Sequence, residues 1–125
     1  MTTIALNRSV MAADTQMDDE GTMSNVRKIF EVNGDLIGFA GLVSEGLRFV
    51  EWYLDQDDDL HLEDTSAAVL TKDNKIYAYE SHYPIEILDD HYAIGSGAQG
   101  ALVAMDQGHS PIEAIKIASR RDAFT

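Results

Sequence analysis

The sequence contains no cysteine, which excludes disulfides and thiolate metal sites. No apolar run approaches the ~18 residues that a membrane span needs. The first residues carry neither a charged leader segment nor the apolar core of a secretory signal. Together these absences make a cytoplasmic location the expectation. Basic residues are scarce as well: 9 against 22 acidic ones, for a net charge of −13. Such a charge repels the phosphates of nucleic acids and anionic membranes, so neither is an expected partner. It suits a soluble enzyme, or a protein that meets a basic partner. The four histidines, at 61, 82, 91 and 109, show no ligand spacing, and neither a metal nor a cofactor is expected. Repeats and low-complexity linkers are lacking too.

What remains is an ordinary globular composition, 45% hydrophobic and 25% charged with only two prolines. At 125 residues it reads as one domain, 1–125. Thr2–Leu6 and Val10–Asp14 are short β-type runs joined by a tight turn at Asn7-Arg8-Ser9. Gln16–Gly21 is polar and acidic and reads as a loop. Val26–Val32 is a strand closed by Asn33-Gly34, a strong hairpin signal, with Leu36–Phe39 returning as its partner. Val43–Tyr53 takes helical spacing, with Leu47, Val50 and Leu54 along one face and Val43 a turn earlier.

The run Asp55–Asp59 suggests a calcium loop, but the sixth position is Leu60 rather than Gly and the twelfth is Ser66 rather than Glu. A solvated acidic loop is the better reading. Ala67–Thr71 and Lys75–Tyr79 form a hairpin, Tyr83–Leu88 continues as a further strand, and Tyr92–Ile94 leads into Gly95-Ser96-Gly97. Ala98–Gln107 is helical, with Ala101, Leu102 and Met105 inward and Gly108 as the stop. Ser110-Pro111-Ile112-Glu113 opens a last helix that runs to about Arg121.

The chemistry lies at the start. Threonine after methionine is small enough for routine removal of Met1, which leaves Thr2 with a free α-amine beside its own hydroxyl. A hydroxyl attacks poorly unless a base takes its proton, and an α-amine titrating near pH ~8 can be that base. The plainer alternatives are that Thr2 and Thr3 are ordinary strand residues, that Asp14 serves a turn or a cap, and that Lys28 is a solvated lysine.

Thr2-Thr3-Ile4, Ala13-Asp14-Thr15-Gln16, Arg27-Lys28-Ile29, Gly38-Phe39-Ala40-Gly41 and Ala93–Gly97, followed by a helix ending at Asp122, stand in the order and spacing of the proteasome β-type family. The chain resembles that family over nearly its whole length, and within it the bacterial proteasome-like HslV peptidases in particular. The resemblance implies an α+β fold, the four-layer αββα sandwich of N-terminal nucleophile hydrolases. A shortened form of that fold is the expectation, with no room for the second long helix after Asp59 and without the strands that follow the aspartate.

The resemblance also implies roles. Thr2 matches the nucleophile and its amine the base. Lys28 matches the cation beside the hydroxyl, and Asp14 matches the carboxylate that holds Lys28. Gly38 matches the glycine whose N–H binds the oxyanion, and Ser96 and Asp122 match the residues that orient the amine. The implied function is a ring-forming threonine peptidase subunit, a homo-oligomer that cuts unfolded polypeptides and is fed by an ATP-dependent unfoldase. The competing reading is a degenerate, non-catalytic subunit or assembly scaffold. An uncovered apolar face and an open sheet edge are further expectations of the shortened form.

Overall fold

A computed structural model describes residues 2–14, 16–19, 22–25, 27–55, 60, 62–81 and 83–120. The first strand, β1 (Thr3–Asn7), lies at the centre of a three-stranded antiparallel sheet. It is flanked by β2 (Met11–Ala13) and by β10 (His91–Gly95). A separate hairpin pairs β3 (Gln16–Asp19) with β4 (Thr22–Asn25). A five-stranded antiparallel sheet follows in sequence order: β5 (Ile29–Val32), β6 (Asp35–Ala40), β7 (Ser66–Leu70), β8 (Ile76–Tyr79) and β9 (Pro84–Ile87). The helices are α1 (Val43–Asp55), α2 (Ala98–Asp106) and α3 (Pro111–Ser119).

The layers follow from strand alternation. Ile4 and Leu6 of β1 pack with Ala68, Leu70 and Ile76 of the larger sheet, so the two sheets meet face to face. Ala5 and Ala93 point the other way, against Ala101, Ala104, Met105, Ala114 and Ile115 of α2 and α3. On the far side of the five-stranded sheet, Ile37, Phe39, Val69 and Tyr79 pack with Phe49 of α1. The order is helix, sheet, sheet, helix pair, the expected four layers.

Local signals account for most boundaries. Asn33 and Gly34 adopt φ of 53° and 89°, the left-handed pair of a type I′ turn, and Val32 faces Asp35 across it. Ser110 Oγ accepts from Glu113 N–H at 3.2 Å while Glu113 Oε1 accepts from Ser110 N–H at 3.0 Å, the reciprocal capping box expected for α3. Arg8 links strands distant in sequence: its guanidinium donates to the carbonyls of Asn74, Leu88 and Asp89 at 3.1, 3.1 and 2.9 Å.

Three expectations are corrected. Gln16–Asp19 is a strand, not part of a loop; a two-stranded ribbon is held by backbone pairing and leaves no apolar signature. The strand expected over Val26–Val32 begins at Ile29; Val26 itself lies outside the described residues. The face expected for α1 is also displaced: Leu47 and Leu54 are exposed, and the helix buries Gly46 and Phe49 with Val50, Trp52 and Tyr53 half-buried. Phe39 lies so close under the helix that a Cβ on Gly46 would come within 2.1 Å of its ring. Leu60 is buried and Leu62 packs against this same cluster, so part of the connection between α1 and β7 covers the sheet. Residues 56–59, Arg121 and Asp122 lie outside the described residues.

Candidate active site

The alternation that sends Ile4 and Leu6 between the sheets, carried back along β1, places Thr2 on the inter-sheet side and Thr3 on the helix side. Both are buried. A buried hydroxyl needs a partner, and Thr3 Oγ1 accepts from Gly97 N–H at 2.9 Å. One residue earlier, Ser96 N–H donates to the Thr2 carbonyl at 3.0 Å. The turn can dock this closely because Gly95 has φ of +99° and no side chain; a Cβ there would come within 1.8 Å of the Thr2 carbonyl oxygen.

Asp14, just past β2, clasps the same stretch from its other edge. Its N–H donates to the Thr3 carbonyl at 3.4 Å, and its Oδ1 accepts from Thr3 N–H at 2.9 Å. The second oxygen, Oδ2, lies 3.4 Å from Lys28 Nζ. One carboxylate therefore ties the backbone next to Thr2 to the lysine. Asp14 thus contacts both the backbone of β1 and the Lys28 ammonium.

Lys28 is not a solvated lysine: its side chain is 2% exposed and that of Asp14 is 9% exposed. Burial pushes the Lys28 ammonium below the usual lysine range, and the charge and hydrogen bond of Asp14 pull it back part of the way. The backbone holds it too, because Lys28 C=O accepts from Phe39 N–H at 3.3 Å.

Gly38 sits in mid-strand, paired with Ile29 on one side and Ala68 on the other. A Cβ there would come within 2.9 Å of Ile4 Cγ2 and of Met11 Sδ, so its bareness lets the two sheets close. Since Phe39 N–H points to the β5 side, alternation turns Gly38 N–H to the β7 side. Of the six expected site residues, Thr2, Asp14, Lys28 and Ser96 converge at the start of β1. Gly38 is packed against the side chain of Ile4 in that strand, and Asp122 lies outside the described residues.

The sequence reading passed over Thr3, Gly95 and Gly97 as parts of this site. The signal for Thr3 was present: it shares a strand face with the buried Ala5, and a hydroxyl on such a face requires a donor or acceptor. Among the described residues, no group of three or more His, Asp or Glu side chains could hold a metal ion. His91 instead pairs with Asp106 at 2.6 Å and His109 with Glu113 at 3.7 Å.

No family model and no curated protein sequence matches the chain. Solved structures do. HslV from Trypanosoma brucei superposes with a TM-score of 0.76 at 20% identity, covering 98% of this chain and 93% of that one. BPH from Thiobacillus denitrificans gives a TM-score of 0.72 at 16% identity, covering 99% and 91%. The same BPH in complex with epoxomicin gives 0.69 at 15% identity, covering 94% and 87%. At these identities the likeness is one of architecture, and the chain has the fold of HslV-like, proteasome-type peptidases.

Proposed function

We propose that this chain is a threonine peptidase subunit that hydrolyses peptide bonds with Thr2 as its N-terminal nucleophile. The observation that carries the reading is the Asp14 carboxylate shared between Thr3 N–H and the buried Lys28 ammonium. A buried lysine is costly unless its charge is used or paired. Here it is paired beside the one residue whose hydroxyl and α-amine combine nucleophile and base.

The reaction follows from those groups. Removal of Met1 frees the Thr2 amine. The amine takes the proton of Thr2 Oγ as that oxygen attacks the scissile carbonyl, and an acyl ester forms on Thr2. The leaving amine takes the proton, and water then hydrolyses the ester with the Thr2 amine again as base. Lys28 favours the deprotonated hydroxyl electrostatically and Asp14 holds Lys28 in place. Ser96 and Asp122 orient the amine, and Gly38 N–H receives the oxyanion. The substrates in this reading are unfolded polypeptides, the working form is a homo-oligomer, and delivery is by an ATP-dependent unfoldase. No described helix is long and apolar enough to cross a membrane.

One observation favours a second reading, a non-catalytic subunit or assembly scaffold. Gly38 N–H faces β7 inside the sheet, so the catalytic reading requires it to leave that ladder when substrate binds. The scaffold reading requires no such change.

The test pairs two measurements. Intact mass shows whether Thr2 is the first residue of the purified protein. Hydrolysis of a small peptide amide, with and without epoxomicin, is then compared between the wild type and Thr2→Ala. The peptidase reading expects a mass lacking Met1, turnover that epoxomicin suppresses, and none in Thr2→Ala. A retained Met1, or full activity in Thr2→Ala, refutes it.

A further inference from the structure

Thr3 stands where the smaller sheet hands over to a helix. Its face of β1 is otherwise lined with apolar groups: Ala5 and Ala93 in the strands, and Ala101, Ala104 and Ala114 in α2 and α3. Thr3 is fully buried among them. A hydroxyl on such a face carries a desolvation cost that valine would not, and only hydrogen bonds offset it.

The bond to Gly97 has a particular geometry. The ladder of β1 and β10 runs as far as Thr3 opposite Gly95, and there Gly95 turns the chain towards α2. Beyond it two consecutive N–H groups still reach β1. Ser96 N–H donates to the Thr2 carbonyl at 3.0 Å, and Gly97 N–H donates to Thr3 Oγ1 at 2.9 Å. Each N–H belongs to a planar peptide unit. The first bond holds the plane that precedes the Ser96 Cα, and the second holds the plane that follows it. With both planes held, φ and ψ of Ser96 are held, and with them the direction of its Cα–Cβ bond. Gly97, the N-cap of α2, brings no side chain of its own to this turn.

On its other edge the Thr3 backbone is clasped by Asp14, at 2.9 Å through Thr3 N–H and at 3.4 Å through Thr3 C=O. Thr3 therefore joins the Asp14–Lys28 pair to the Ser96 turn.

We infer that Thr3 is a positioning residue: its hydroxyl seats the turn so that Ser96 is aimed at the Thr2 amine, while Asp14 fixes its backbone. This rests on the peptidase reading, in which Ser96 orients that amine.

The test uses the full chain and a small peptide amide. Thr3→Val keeps the shape of the side chain and removes the acceptor; Thr3→Ser keeps the acceptor. In Thr3→Val kcat should fall at least about tenfold while KM stays within about twofold. Thr3→Ser should keep kcat within about threefold. Thr3→Cys, whose sulfur is a weaker acceptor, should fall between them and serves the same comparison if Thr3→Val does not fold. Ser110→Ala, weakened at a distant helix cap, should keep the wild-type kcat. Hydrogen exchange gives a readout independent of turnover: measured against the Ala114 amide of α3, the Ser96 amide should exchange at least about tenfold faster in Thr3→Val and near the wild-type rate in Thr3→Ser.

Unchanged kcat or unchanged Ser96 exchange in Thr3→Val overturns the inference. So does an equal loss of kcat in Thr3→Ser, which assigns the effect to packing of the methyl group, or in Ser110→Ala, which assigns it to stability. These outcomes leave the peptidase reading standing. A wild type without turnover, or full activity in Thr2→Ala, refutes that reading and this inference with it.

Discussion

Replacing Asp14 by Asn isolates the electrostatic half of its role. The amide oxygen of the new side chain can still accept from Thr3 N–H, so the strand contact survives, while Lys28 Nζ loses the carboxylate now 3.4 Å away. Breaking a buried pair by removing one partner typically costs about 3–5 kcal/mol. Most domains hold only about 5–15 kcal/mol in total, so the variant should unfold at a much lower urea concentration near pH 7. The cost must also depend on pH. Burial already holds the Lys28 pKa below its unfolded value, and loss of Asp14 lowers it further.

Between the lowered folded pKa and the ordinary ~10.4, the unfolded chain binds more protons than the native one, so stability rises with pH. Each further unit by which the folded pKa falls adds about 1.4 kcal/mol to that rise. Urea titrations at several pH values from neutral to mildly alkaline should therefore show the gap between Asp14→Asn and the wild type closing as pH increases. In a Lys28→Met background the Asp14→Asn effect should be small and flat with pH. A gap that does not change with pH, or one that persists in the Lys28→Met background, would refute the claim that Asp14 acts on stability through Lys28.

Three further outcomes are expected. Gly95→Ala should destabilise by about 3 kcal/mol or more, since it combines a left-handed backbone with a Cβ driven onto the Thr2 carbonyl; thermal unfolding reads this, and an unchanged Tm contradicts it. Ser110→Ala should cost about 1 kcal/mol by removing the side-chain acceptor of the α3 cap, again read from the urea midpoint, with Ser110→Asp restoring most of it. Peptidase activity should rise from acid pH as the Thr2 amine loses its proton. It should fall in alkali at a pH below that of a free lysine, because burial favours neutral Lys28; Asp14→Asn should move this fall lower still, and an unmoved alkaline limb in a folded, active variant would disconnect Asp14 from Lys28.

Much of the fold could be read from local chemistry. Asn33-Gly34 dictated its own turn, and Ser110, Pro111 and Glu113 dictated the start of α3, because each acts over a few residues of backbone. The face of α1 could not be read this way. Its leucines satisfy a helical spacing, but the sheet beneath presents Phe39 and Tyr79, and rings meet rings: Phe49 lies 4.9 Å from Tyr79, edge to face. Which stripe of an amphipathic helix is buried depends on a surface assembled from other parts of the chain. The β3–β4 hairpin was hidden because pairing of two backbones needs no apolar pattern. At the candidate site, Thr2, Asp14, Lys28 and Ser96 could be named from motif order. The clasp on Thr3 could not, since nothing in the sequence says that a carboxylate's two oxygens will divide between a backbone amide and a lysine.

The position of β1 has a consequence for the life of the chain during synthesis. It precedes the other described strands in the chain and is the centre of its sheet, yet one of its neighbours is β10, with Thr3 opposite Gly95. Contacts between such distant segments form late, after the entropy of closing the intervening loop has been met. The Thr3 hydroxyl finds Gly97 N–H, and the Thr2 carbonyl finds Ser96 N–H, only after the chain through Gly97 has emerged. Asp14 and Lys28 are translated early but have no finished β1 to hold. A nascent or broken chain that ends before Gly95 therefore lacks the arrangement around Thr2, and whatever that arrangement does must wait for the 95–97 turn to dock.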